Sequence, residues 1–167
     1  MNIITISREF GSGGRELGKR LAEVLGYDYY DREIITAIAD REGLDETYVQ
    51  QALDNHAWRS IPLNFRHSFY GMSHIPASPT SLLLAERHVI EGIAKAGKNC
   101  IIVGRNADVI LRAYEPLNLF VCADMEAKIN RCIERAEEGE HLSRKEIEQN
   151  ITRIDKNRRH TREIITD

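Results

Sequence analysis

The chain has 167 residues, 42% of them hydrophobic and 29% charged, with a formal net charge of −3. That size and composition suit one domain with a real core, and the near balance of charge excludes a global field for gathering nucleic acid or an anionic membrane. No apolar run reaches the ~18 residues of a membrane span, and Met1-Asn2-Ile3 does not begin a signal peptide, so a cytoplasmic location is expected.

Residues 3–25, IITISREFGSGGRELGKRLAEVL, pass from an apolar strand through a glycine cluster into an amphipathic helix. Such a segment forms a phosphate-binding loop. Gly11, Gly13 and Gly14 let the backbone turn and come close to a ligand, and the helix presents unpaired N–H groups and the positive end of its dipole. The loop pattern G-x-x-x-x-G-K-[ST] is broken here, because Arg8 stands at its first glycine, Gly14 at its lysine and Arg15 at the following position. A tight strand-to-helix turn without a ligand is the alternative reading of the cluster alone.

Gly26 closes the first helix, and residues 27–30 (YDYY) form a second strand that ends at Asp31. Ile34, Ile35, Ile38 and Ala39 recur at helical spacing up to Gly43, and a further helix begins at Leu44-Asp45-Glu46. Residues 55–80 hold three of the four prolines and five large aromatic or sulfur side chains without a clean period, and are expected to be irregular and to cover a substrate. A helix follows over residues 81–96, closed by Gly97. The run Cys100–Val103 (CIIV) reads as a strand buried on both faces, and residues 117–121 (LNLFV) repeat the pattern after Pro116. A helix is expected over residues 125–138. A long one starts at Ser143, where Glu146 completes a capping box. Cys100, Cys122 and Cys132 lack C-x-x-C spacing and are expected to be reduced and structural.

Strands alternating with helices imply a parallel sheet covered on both faces, with ligands at the carboxyl ends of the strands. The residues to inspect are therefore Arg8 to Arg15, Asp31-Arg32, Gly104 to Asp108 and Ala123-Asp124. Arg105 puts a two-pronged phosphate donor at the mouth of the sheet, or else bridges neighbouring carboxylates. Arg153, Asp155, Lys156, Arg158, Arg159 and Arg162 crowd the last helix, as a lid over anions or as a solvated face.

Together these residues resemble the nucleoside monophosphate kinases, specifically the cytidylate kinase-like group of P-loop kinases, from Asn2 to about Arg159. The resemblance rests on GSGG and LAEVL in the loop and first helix, Asp31 at the end of the second strand, Gly104-Arg105-Asn106 after the third, and Arg131, Asp155 and Arg158 in the lid region. It implies an α/β P-loop kinase fold, three-layer α/β/α with a parallel sheet. The chain ends at Thr166-Asp167, short of the final strand and helix of such kinases, so those two elements are expected to be absent. The single domain would divide into a core (1–31 and 81–138), an acceptor-binding insert (32–80) and a lid with the terminal helix (139–167).

By the same resemblance, Gly11, Ser12, Gly13, Gly14, Arg15 and Glu16 would hold the phosphates of ATP. Asp31, Arg105, Asp155 and Arg158 would hold the acceptor nucleotide, and Arg131 and Arg158 would act on the transferred group. The chain departs from the pattern at Gly14, the family's lysine, and at Ala37, an acceptor-phosphate arginine. Arg15 is the first candidate for the missing cation, with Arg8 and Lys19 behind it, and Glu16 is the candidate ligand for Mg²⁺. The expected activity is transfer of the γ-phosphate of ATP to a nucleoside monophosphate or similar small acceptor. A nucleotide-binding regulatory protein that has lost transfer and an α/β domain that binds an anion incidentally are the alternatives.

Overall fold

Alternation along two strands sets the layers. Ile3 of β1 (Ile3–Arg8) and Cys100 and Ile102 of β3 (Cys100–Val103) face one side of the sheet, while Ile4, Ile6, Ile101 and Val103 face the other. Both faces are thus apolar, as a parallel sheet under helices requires. The computed structural model describes residues 1–55, 79–136 and 142–166, with side chains for residues 1–50, 81–136 and 142–166.

The described residues form a four-stranded sheet in the order β2-β3-β1-β4, with every neighbouring pair parallel; β2 is Asp28–Tyr30 and β4 is Leu117–Val121. The chain leaves β1 across β3 toward β2, and leaves β3 across β1 toward β4. The two crossovers depart in opposite directions, so a crevice opens at the carboxyl ends of β1 and β3. One face is covered by α1 (Gly14–Leu25) through Leu21 and Ala22. The other carries α2 (Glu33–Glu42), α3 (Glu46–Asn55) and α4 (Pro79–Lys95), whose Ile34, Ile38, Val49, Leu82 and Ile90 are fully buried there. Each such aliphatic side chain contributes about 1.5–3 kcal/mol relative to exposure. A separate cluster of Ile129, Ile147 and Ile151 joins α6 (Met125–Glu134) to α7 (Arg144–Thr166).

The expected elements are present with shifted ends. Tyr27 belongs to the cap of α1, where its N–H and that of Gly26 both reach the Ala22 carbonyl, so β2 starts at Asp28. α4 starts at Pro79, in keeping with proline at a first helical position. The rest of the segment expected to be irregular lies outside the described residues. The capping box at Ser143 forms as expected, its N–H and Oγ both donating to Glu146 Oε2. α6 ends at Glu134 and not at residue 138, because the chain turns out of the helix at Arg135, whose guanidinium reaches back to Glu16. A short helix, α5 (Ala107–Ile110), followed by a 3₁₀ turn over Arg112–Tyr114, was not expected; it buries Ala107 and Leu111 against the sheet. The cysteines are free as expected, but only Cys100 is a buried strand thiol. Cys122 is exposed just past β4, and Cys132 lies half-buried on α6.

Gly18 shows how closely α1 sits on the sheet. A Cβ there would stand 2.9 Å from Val103 Cγ2 and 3.2 Å from both Ile6 Cδ1 and Tyr29 Cε2. Gly18→Val should therefore destabilise the fold by about 1–3 kcal/mol through overpacking, more than the roughly 0.5–1 kcal/mol gained by removing a glycine from a helix. Urea denaturation measures the difference; an unchanged midpoint would contradict this packing.

Candidate functional site

The loop between β1 and α1 turns through two left-handed glycines, Gly11 at φ 75° and Gly13 at φ 90°. Ser12 folds back on it, its Oγ donating to the Glu9 carbonyl at 2.8 Å. Gly13 is the N-cap of α1, and among the described residues no side chain caps it. The first-turn amides are thus left for an outside acceptor, and the helix dipole adds positive potential there. A Cβ on Gly11 would meet the Lys128 carbonyl at 3.1 Å and Cys132 Sγ at 3.2 Å, which seats the loop against α6. The Arg131 guanidinium lies over Gly13, with its carbon 3.2 Å from where a Cβ would be. Glu16, in the first turn, is held by Arg20, Arg131 and Arg135 together.

Beside the loop, the crevice widens into a cavity of about 770 Å³, walled by the carboxyl ends of the strands, by α3 and by α7. Among the described residues eight arginines line it (Arg8, Arg15, Arg32, Arg105, Arg153, Arg158, Arg159 and Arg162) against five acidic side chains, Glu9, Asp31, Glu46, Glu86 and Asp155. The excess positive charge suits an anionic ligand. Asp31, which immediately follows β2 and is buried, accepts from Arg15 and has Arg8 at 3.9 Å. Arg105 lies 3.8 Å from the buried carboxylate of Glu86 and donates to Gln50 Oε1 at 3.2 Å. Arg158 donates to the Arg8 carbonyl at 3.1 Å and stands over the Phe10 ring, while Arg162 pairs with Asp108 at 2.7 Å. Burial, then the field of Arg158, pushes Arg8 down to about 10 against the opposing pull of Asp31. An anion beside it would relieve that penalty.

Under the loop, Lys128 of α6 donates to Glu9 at 3.0 Å and to Asp155 at 3.2 Å, and Asp155 also accepts the Phe10 N–H at 2.7 Å. This node ties the loop, α6 and α7 together. Burial works against the Lys128 charge, yet the bonds to Glu9 and Asp155 outweigh it and raise its pKa. Its ammonium in turn holds the Glu9 carboxyl below the usual range. A depressed carboxyl stabilises the fold above its unfolded value and loses that stabilisation as pH falls through its folded one; a raised lysine loses its share only in strong alkali. The advantage of the wild type over Glu9→Gln in melting temperature should therefore shrink between about pH 6 and about pH 3. A difference that stays constant over that range would remove Glu9 from the node.

The sequence profile of one family, described as cytidylate kinase-like, matches residues 3–167. The chain belongs to the cytidylate kinase-like family. Solved structures agree on the fold. An uncharacterized protein from Eubacterium ventriosum is 24% identical with a TM-score of 0.64, over 98% of this chain and 77% of that one. Shikimate kinase from Bacteroides thetaiotaomicron is 15% identical with a TM-score of 0.57, over 95% and 80%. The likeness to shikimate kinase marks a P-loop kinase fold, in keeping with the family. No curated protein matches significantly.

Within this cytidylate kinase-like fold, Arg15, Asp31, Arg105, Asp155 and Arg158 line one cavity, while beside it Gly11, Ser12 and Gly13 form the loop, Gly14 and Glu16 lie in the first turn of α1, and Arg131 reaches over Gly13 from α6. Two of the expected positions differ in orientation. Arg15, expected to face donor phosphates, is turned onto Asp31. Glu16, expected to ligate Mg²⁺, is engaged by three guanidiniums, and among the described residues no three His, Cys, Asp or Glu side chains gather at a metal-binding distance. A cation set among three arginines is electrostatically disfavoured, so Glu16 does not fit a metal ligand. Glu86, Gln50 and Lys128 went unnoticed in the sequence, where each is one polar residue on an amphipathic helix; the crowding of arginines on the last helix was the visible signal for Arg162.

Proposed function

We propose that this protein transfers the γ-phosphate of ATP to a nucleoside monophosphate or a similar small anionic acceptor. The observation that carries the reading is the arginine-lined cavity at the switch point of a parallel sheet, opening beside an uncapped glycine loop. The loop amides would take the donor phosphates, with Arg131 over Gly13 and Arg158 on α7 supplying charge as the group moves. Arg105, steadied by Glu86 and Gln50, would hold the acceptor phosphate, and Asp31 and Asp155 would shape its pocket. Arg15, on Asp31, would serve that wall of the site. An oxygen of the acceptor forms the new bond to the γ-phosphorus. The bond to the bridging oxygen breaks, and its electron pair leaves on ADP. A monophosphate acceptor is already deprotonated at neutral pH, so no general base is required. Magnesium would enter as a companion of ATP, and Glu16 offers it no free oxygen.

Multiple-turnover ADP release with a panel of nucleoside monophosphates and small hydroxylated acids tests the reading; no turnover with any of them would refute it. A second reading, a nucleotide-binding regulatory protein that does not transfer, is favoured by Gly14, where the loop pattern carries a lysine. Thermal stabilisation by ATP without turnover would select that reading.

A further inference from the structure

Two departures from the loop pattern are reciprocal. The pattern begins with a glycine and follows its last glycine with a lysine; this chain has Arg8 at the first position and Gly14 at the second. In the fold these two positions face each other across the neck of the loop. A Cβ on Gly14 would stand 2.7 Å from Arg8 Cβ and 3.1 Å from its Cγ, closer than side chains pack. A side chain at 14 and the observed path of Arg8 exclude each other. The cation has gone from one side of the neck and stands on the other.

The far end of Arg8 requires a second glycine. Its guanidinium runs against Gly104, at the carboxyl end of β3, and a Cβ on Gly104 would collide with Nη1. Gly104 also has φ 77°, a conformation other residues rarely adopt. Arg8 is thus threaded between two glycines to the midpoint of the crevice, its side chain only 15% exposed. Asp31, its carboxylate neighbour at 3.9 Å, is bound more closely by Arg15. Arg158, Arg105 and Arg15 all press like charge on Arg8. A buried guanidinium with three like charges near it and a shared carboxylate is short of negative charge, and the cavity beside it is where that charge would come from.

We propose that Arg8 is the phosphate-holding cation of this loop, taking the part of the lysine missing at position 14, and that it grips the terminal phosphates of ATP between the loop and Arg105. The assignment rests on the phosphotransferase reading for the identity of the donor. It displaces Arg15, the choice suggested by sequence position, and it makes Gly14 and Gly104 consequences of Arg8.

Calorimetric binding of ATP and of AMP to the full chain separates the possibilities. Arg8→Gln should weaken ATP by about 10- to 100-fold, the loss of a charge-assisted phosphate contact, while AMP, which has no β- or γ-phosphate, changes little. Gly14→Lys alone should also weaken ATP, because its side chain dislodges Arg8. The double variant Arg8→Gly/Gly14→Lys should bind ATP more tightly than Arg8→Gly alone. Arg8→Lys keeps the charge and the fold with a shorter reach, so its preference for ATP over AMP should fall between those of the wild type and Arg8→Gln. An undiminished preference for ATP in both Arg8→Gln and Arg8→Lys overturns the assignment, as do equal losses for ATP and AMP, or a double variant no better than Arg8→Gly. A wild type that binds no ATP overturns the donor reading as well.

Discussion

Arg105→Ala should raise the KM for the acceptor by about one to two decades and leave that for ATP nearly unchanged, because the arginine lines the part of the cavity proposed for the acceptor and a charge-assisted bond is worth roughly 1.5–3 kcal/mol. The side chain leaves the backbone at a left-handed bend. Arg105 and Asn106 both have positive φ, 56° and 49°, a bend that brings the chain off β3 and into α5. Behind the guanidinium stand Glu86, 3% exposed on α4, and Gln50 on α3, so two helices that cover the same face of the sheet hold it in place. The alanine variant also takes the guanidinium from a buried carboxylate, which should lower stability. Arg105→Lys distinguishes the two effects. It keeps a cation near Glu86 and so most of the stability, but it lacks the two-pronged fork, and its acceptor KM should still rise. Equal changes in both KM values, in either variant, would contradict the placement of Arg105 at the acceptor.

How far the sequence could be read depended on whether a feature was local. The CIIV strand, the Gly26 and Gly43 caps and the Ser143 capping box each follow from neighbouring residues, and each is present. The α5 helix was missed because Ala107–Ile110 is too short to display a period of 3.6 residues. Arg15 and Glu16 were placed by position in the first turn of α1, but their directions are set by distant charges: Asp31 for the one, Arg131 on α6 and Arg135 at its C-cap for the other. The relation of Arg8 to Gly104 was likewise hidden, since it exists only once β1 and β3 lie side by side. Lys128 reads as one more surface lysine of an amphipathic helix, and only the approach of Glu9 and Asp155 makes it a buried node.

Gly13→Asp should abolish the stabilisation that ATP confers. In the wild type, ligand at 100 times its dissociation constant adds about 2.7 kcal/mol to unfolding, an ample shift in melting temperature. The aspartate acts on that shift in two ways. Its Cβ enters a position at φ 90°, where a non-glycine residue costs about 1–2 kcal/mol, and its carboxylate stands at the uncapped N-terminus of α1, against the Arg131 guanidinium. There it would pair with Arg131 and the helix dipole, recovering about 0.3–1 kcal/mol of the strain and filling the place proposed for a donor phosphate. The ligand-free protein should consequently lose little stability while its response to ATP disappears. Gly13→Ala carries the strain without the charge, so it should melt lower than Gly13→Asp when ligand-free yet keep part of the ATP response. That opposite ordering in the two conditions is what a phosphate cradle requires and a plain tight turn does not. If ATP stabilises Gly13→Asp as strongly as the wild type, the donor phosphates bind somewhere other than this loop.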